Sequence, residues 1–306
     1  MRVTLIYNPD AGSKEQADSG TLVKLLDSAG HGVRAQSAKH DGWKEALEWP
    51  ADLVAVAGGD GTVARVAKAM VGRGIPLAPL PAGTANNISR TLGLLERPWE
   101  ELIAGWPEAR RIRLDIGLAK GPWGERHFVE GVGAGLFASL LSSRPTGKKR
   151  RRSAAPEQRV DNALETLRKR AKDCRAIALE ATLDGKDVSG RYLLVEALSI
   201  PYVGPNLFLA PDSQPGDGMF DVVLVTEAER ERLITYLDSW QENRERLSVL
   251  PSHRGKHLHI ERNGFALHID DELWSPADAK DAPKSGPIDL RITDSVEFVA
   301  PDSKKS

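Results

Sequence analysis

Gly58-Gly59-Asp60-Gly61-Thr62 gathers three glycines, a carboxylate and a hydroxyl into one tight stretch. Glycines let the main chain approach a ligand closely and take positive φ. The first amides of a following helix, with its positive dipole end, stabilise an anion there. The chemistry is that of a phosphate-holding loop. Asp60 caps the turn in a purely structural reading; beside phosphates it would hold a cation or take a proton. Pro81-Ala82-Gly83-Thr84-Ala85-Asn86-Asn87 repeats the pattern, with Thr84 placed either to cap the helix that carries Ile88 and Leu92 or to bond a phosphate. Asn8-Pro9-Asp10-Ala11-Gly12-Ser13 combines turn-forming residues and reads equally as a plain turn or as a third part of the same site.

The elements that must position these loops are short. Ala51 to Ala57 is an apolar, β-branched run and predicts a buried strand, while Val63, Val66, Ala67, Met70 and Val71 share one face of a helix. The first glycine loop therefore sits at the carboxyl end of a strand, where open α/β sheets place ligands. Strands are also expected over Val3–Tyr7, Val33–Ser37 and Ile75–Leu80, with helices through Leu22, Leu25 and Leu26 and near Trp43–Trp49. Such βαβ alternation predicts a parallel sheet wrapped by helices. Beyond Arg110 the period changes to two, over Arg111–Ile116, Ile177–Leu183, Tyr192–Ala197 and His257–Glu261, with an Asp184-Gly185 turn. That pattern predicts antiparallel sheet, a domain boundary near residue 117, and interrupting helices over Glu157–Lys172 and Ala228–Leu247.

A chain of 306 residues suits two domains, and a formal net charge of −1 gives no global pull toward nucleic acid. Cys174 is the only cysteine, so an intrachain disulfide is excluded and a reducing compartment is expected. The start reads as a strand, not a signal peptide, and no apolar run approaches the ~18 residues of a membrane span. A cytoplasmic protein follows, touching membranes from the surface only. Lys148-Lys149-Arg150-Arg151-Arg152 reads as a solvated loop or as a patch for anionic headgroups, where each basic side chain adds about 1 kcal/mol. His257 and His259 share a strand face, with His268 expected on a neighbouring strand. Three histidines suit a transition metal, but no Cys or carboxylate spacing accompanies them, and a solvated face is the preferred reading.

Taken together these stretches resemble the bacterial soluble diacylglycerol kinase-like lipid kinases, relatives of the sphingosine and ceramide kinases. The match rests on Asn8–Gly12, Gly58–Thr62, Leu80–Asn86, the glycine-rich Glu130–Gly135, Ala210–Asp221 and Ile269–Glu272. The resemblance implies a Rossmann-like domain over residues 1–117, rejoined by a segment from about 288 to 306, and an antiparallel β-sandwich over 118–287 that admits the lipid. It implies an ATP site lined by Asn8, Pro9, Asp10, Ala11, Gly12, Ser37, Gly58, Gly59, Asp60, Gly61, Thr62, Arg65, Gly83 and Thr84. A magnesium ion would map to Gln214, Asp217 and Met219, the first and last through main-chain carbonyls. Asp270 or Glu272 would be the general base, with Asp60 close to the phosphates. The expected activity is ATP- and Mg²⁺-dependent phosphorylation of a lipid hydroxyl, diacylglycerol-like, at the inner membrane surface.

The chain departs from the family pattern at Ala64-Arg65, Asn87 and Asp271, where Asn-Glu, Asp and Gly are usual. Arg65 is thereby a candidate to touch a phosphate directly. NAD kinase shares the G-G-D-G-T loop and is the second enzyme reading; a non-catalytic lipid- or nucleotide-binding protein is the third.

Overall fold

The computed structural model describes residues 1–11, 18–142, 155–243, 249–261, 264–277, 283 and 285–301. Gly12, the basic run Lys148–Arg152 and the end of the second expected helix, 244–247, lie outside the described residues. The chain divides into two compact units: Met1–Leu114 with the segment beginning at Asp294, and Asp115–Thr293.

In the first unit, β1 (Arg2–Tyr7), β2 (Gly32–Ser37), β3 (Leu53–Gly58) and β4 (Leu77–Pro81) form a parallel sheet in the order β2-β1-β3-β4. Residues 53–58 of β3 are all buried, because strands pair on both its edges and helices cover its faces. The helices are α1 (Ser19–Ser28), α2 (Asp60–Met70), α3 (Asn87–Thr91) and α4 (Trp99–Gly105). Asp18 caps α1, its carboxylate accepting from Thr21 N at 2.8 Å. The helix expected near Trp43–Trp49 is a tighter 3₁₀ turn, Trp43–Glu48, that buries Trp43, Ala46 and Leu47. β2 lies on one side of β1 and β3 on the other, so the winding reverses between β1 and β3. That reversal is where a doubly wound sheet opens a crevice.

In the second unit two sheets pack face to face. The strands β5 (Arg110–Gly121), β6 (Gly124–Phe128) and β7 (Gly131–Gly135) come first, then α5 (Leu136–Ser142) and α6 (Pro156–Asp173). They are followed by β8 (Ile177–Leu179), β9 (Ala181–Leu183), β10 (Lys186–Asp187), β11 (Gly190–Leu198), β12 (Tyr202–Val203), β13 (Leu207–Phe208) and β14 (Phe220–Thr226). Last come α7 (Arg230–Asn243), β15 (Ser252–Gly255), β16 (His257–Ile260), β17 (Leu267–Ile269), β18 (Glu272–Trp274) and β19 (Ile288–Ala300), whose residues from Asp294 onward, like those of β5 up to Leu114, belong to the first unit. One sheet runs β15-β14-β11-β7-β17-β18; the other joins β10, β9, β16 and the start of β19. Ala181, Leu258, Ile260, Ile288 and Leu290 from one sheet meet Val132, Val195, Ala197, Val222 and Ile269 from the other in a common core. The opposite face of the six-stranded array packs under α5, α6 and α7 through Leu136, Leu164, Leu167, Leu194, Leu233 and Leu237. This is a mixed α/β fold with an antiparallel sandwich.

Two local outcomes differ from expectation or refine it. The single strand expected over Ile177–Leu183 breaks at Glu180: β8 pairs with β11 and β9 with β16, so the chain changes sheets there. Asp184 and Gly185 both take positive φ, 49° and 78°, and Leu183 pairs with Lys186 across them. That is the two-residue hairpin whose twist suits the flanking strands.

Candidate functional site

The two glycine loops of the first unit touch through their main chains. A Cβ on Gly83 would stand 2.5 Å from Gly59 Cα and 2.7 Å from Asn86 Oδ1, and one on Gly59 would stand 2.9 Å from Gly83 Cα. Glycine is thus required by close approach. The expected positive φ is absent: none of Gly58, Gly59, Gly61 and Gly83 takes it. Ala82 N donates to Gly58 O at 2.9 Å, prolonging the β3–β4 ladder into the loops. Gly59 O accepts from Thr62 N and Val63 N at 2.9 and 3.1 Å and so opens α2.

Asp60 heads α2, and its Oδ1 accepts from Ile88 N at 3.0 Å. The amide that Thr84 was expected to cap is therefore capped by Asp60, from the other loop. Asn86, in the left-handed region at φ 54°, ties the second loop instead: its Oδ1 accepts from Gly83 N and its Nδ2 donates to Gly83 O. Thr84 sits in the bend between them.

Asn8, at the tip of β1, donates from Nδ2 to Thr62 Oγ1 at 3.3 Å, and its Oδ1 accepts from Asp10 N at 3.0 Å. The third loop is thereby brought against the first, with Pro9 and Ala11 alongside. Asp10 forms an ion pair with Lys39, and Ser37 Oγ accepts from Lys39 N at 3.2 Å. Arg65 is directed elsewhere than an open anion site: its guanidinium donates to Ala38 O and lies over the Trp43 ring, 4.7 Å from its centroid. A cavity of about 470 Å³ opens beside Pro81 and Asn86, with Thr21, Leu25, Arg97 and Trp99 in its walls. Sequence patterning had no means of assembling it from such dispersed positions.

In the second unit the two candidate bases have different surroundings. Asp270 is buried, takes φ 51° between β17 and β18, and its Oδ1 accepts from Val129 N and Glu130 N, both at 2.9 Å, and from Gly131 N at 3.4 Å. Glu272 is exposed over 69% of its side chain and pairs with Arg126 at 3.4 Å. Behind Asp270, His268 Nδ1 lies 2.9 Å from the Asp270 carbonyl and Nε2 lies 2.8 Å from Glu196 Oε2, with His268 and Glu196 both buried. A carbonyl only accepts, so Nδ1 carries a proton and Nε2 shares one with Glu196. Burial pushes the Glu196 carboxyl up from its ordinary range, against the pull of His268. His268 therefore belongs to the sheet opposite His257 and His259, which corrects its expected neighbouring position. Glu196 was legible as a signal, a lone carboxylate within the apolar run Tyr192–Leu198, but its partner was not.

The loop before β14 carries Gln214, Asp217 and Met219. Gly216 and Gly218 take positive φ, and their amides donate to Asp115 Oδ2 at 3.1 and 3.0 Å. Burial raises the Asp115 pKa, with those two amides acting against it. Asp217 Oδ1 accepts from Met219 N at 2.9 Å, and Oδ2 is held by Arg254. A carboxylate and two main-chain carbonyls are hard oxygen donors of the kind magnesium takes. They fit the ion in kind, and Arg254 is the cation it would have to displace.

The diacylglycerol kinase catalytic domain family matches residues 2–118, and the YegS C-terminal NAD kinase beta sandwich-like domain matches residues 149–292. A diacylglycerol kinase of Mycobacterium tuberculosis is 24% identical over 292 residues, 91% of each chain. A diacylglycerol kinase of Bacillus subtilis is 28% identical over 253 residues, 76% of each. The crystal structure of a diacylglycerol kinase from Bacillus anthracis str. Sterne superimposes with a TM-score of 0.65 at 20% identity, over 98% of this chain and 97% of that one, a likeness of fold. The chain therefore joins a match to the diacylglycerol kinase catalytic domain with a match to the YegS-type sandwich domain, and the relatives it resembles over most of their length are diacylglycerol kinases. Among the described residues no helix is long and apolar enough to cross a membrane.

Proposed function

We propose that the protein is an ATP- and Mg²⁺-dependent lipid kinase that transfers the γ-phosphoryl group to the hydroxyl of a diacylglycerol-like acceptor. The observation that carries this reading is the main-chain contact of Gly59 with Gly83, which brings two strand-end loops together beside Asp60 and the head of α2. Asn8 to Ala11, Ser37, Gly58 to Thr62, Gly83 and Thr84 would hold the nucleotide. Arg65 would act one step behind them, bracing the stretch after Ser37 through Ala38 and Trp43. Of the two acids, exposed Glu272 has the access a general base needs, and Asp270 would position it. The lipid hydroxyl would give its proton to Glu272 as its oxygen bonds to the γ-phosphorus. The bond from that phosphorus to the β–γ bridging oxygen breaks, and ADP leaves.

Gln214, Asp217 and Met219 are the residues proposed to hold magnesium, whose chemistry when bound is to neutralise negative charge on their lobe. Arg254→Ala is then expected to tighten Mg²⁺ binding by about tenfold, the equivalent of ~1.4 kcal/mol of relieved like-charge repulsion. Magnesium titration followed by the Gly216 and Gly218 amide signals measures this, and unchanged affinity would remove the ion from this loop.

Incubation with labelled ATP, a panel of neutral and anionic lipids, and NAD tests the function itself. Label in a lipid of the diacylglycerol class is the expected result. Label in NAD would establish the NAD kinase reading, and no transfer to either would leave a binding protein.

A further inference from the structure

The outer face of the sheet formed by β9, β16 and β19 carries a cluster that the kinase reading does not use. Leu258, Ile260, Ile288 and Leu290 point into the sandwich core, so His257, His259, Asp289 and Arg291 point the other way. The antiparallel register sets His259 opposite Asp289 and His257 opposite Arg291. His257 Nε2 lies 2.7 Å and His259 Nδ1 3.0 Å from the same oxygen, Asp289 Oδ1. The ligand atoms of the three residues all lie within 4.8 Å of one another.

One carboxylate oxygen facing two imidazole nitrogens requires a proton on each nitrogen if both approaches are hydrogen bonds. At His257 that requirement conflicts with Arg291, whose Nη2 lies 3.3 Å from the same Nε2 and has only protons to offer. A metal ion among the three ligand atoms dispenses with both of those protons, since each nitrogen then presents its lone pair inward to the ion, and the Arg291 guanidinium has to turn away from Nε2. Behind the cluster, the other nitrogen of His259, Nε2, stands 3.7 Å from Glu261 Oε1. A carboxylate on the far nitrogen of a ligating histidine is the usual way such a ring is oriented.

We propose that His257, His259 and Asp289 form a binding site for a divalent transition-metal ion of the zinc type. Two imidazoles and one carboxylate suit zinc and its neighbours, while magnesium and calcium take all-oxygen sets. The three residues keep 32%, 26% and 35% of their side-chain surface, so an ion has access and a coordination position stays open to solvent. All three project from paired strands, which hold the ligands without a preceding folding step. Arg291 opposes the ion and sets its affinity below that of a closed structural centre.

The test uses the full chain, produced without a histidine tag and stripped with chelator. Co²⁺ serves as the optical probe and Zn²⁺ is titrated by calorimetry. One ion per chain is expected, with visible Co²⁺ bands. His259→Asn and Asp289→Asn should each weaken binding by about a hundredfold, and Glu261→Gln by about tenfold. Arg291→Ala should tighten it, and His253→Asn, on the neighbouring sheet, should leave it unchanged. The absence of stoichiometric binding would overturn the site, as would binding that survives the His257→Asn, His259→Asn pair. Glu261→Gln and Arg291→Ala alter no ligand, so they report even if a ligand variant fails to fold.

Discussion

Glu272→Gln is expected to lower kcat for lipid phosphorylation by about a thousandfold while leaving the nucleotide dissociation constant within about twofold of wild type. A positioned general base is worth about 10² to 10⁴ in rate, and the amide is isosteric but cannot take the proton. Among the described residues the exposed carboxylate pairs with Arg126, and its loss should barely alter stability, exposed ion pairs being worth ~1 kcal/mol or less. Asp270 should behave differently. Asp270→Ala removes the acceptor of three main-chain amides at residues 129–131 and would lower stability by about 1–3 kcal/mol, because buried donors lose their partner. Asp270→Asn keeps an oxygen for those amides and should fold. If Asp270→Asn abolished transfer while Glu272→Gln left it intact, the two roles would be exchanged. Single-turnover kinetics alongside thermal unfolding separates the two outcomes.

Gly83→Ala is the second large effect. A methyl group there would overlap Gly59 Cα and Asn86 Oδ1, and neither can move without opening a loop. The expected result is a loss of nucleotide affinity of about a hundredfold or more, together with ~1–3 kcal/mol of stability from overpacking. Gly105→Ala is the matched control. It lies at the end of α4 with nothing within 4 Å of its missing Cβ, so it should be neutral or slightly stabilising. Calorimetric titration with a non-hydrolysable ATP analogue, beside a thermal melt, reads both quantities. Wild-type affinity in Gly83→Ala would show that the loops do not act as one site.

His268 and Glu196 add a longer-range dependence to the first prediction. They hold the carbonyl of Asp270, a non-glycine residue in the left-handed region, where backbone strain has to be overcome by surrounding contacts. Asp115 does similar work in the other loop, collecting the amides of Gly216 and Gly218. Both arrangements join residues about a hundred positions apart or more in the case of Asp115, and seventy-two apart in the case of His268 and Glu196. No local pattern records such pairs.

What the residue order determined by itself was contiguous. Strand, glycine turn and helix at Leu53–Met70 follow from neighbouring residues alone, as do the parallel sheet that such units build and the Asp184-Gly185 hairpin. Each needs only backbone propensity and a hydrophobic period, which a short window contains. Tertiary structure decided what the pieces were for. It showed that the glycines answer to each other at Gly59 and Gly83 and not to positive φ, and that Asp60 caps a helix in the next loop. It moved His268 to the opposite sheet and put Asp289, thirty residues onward, across from His259. Those outcomes depend on strand register and sheet order, and a register shift of one residue would turn every such side chain to the other face.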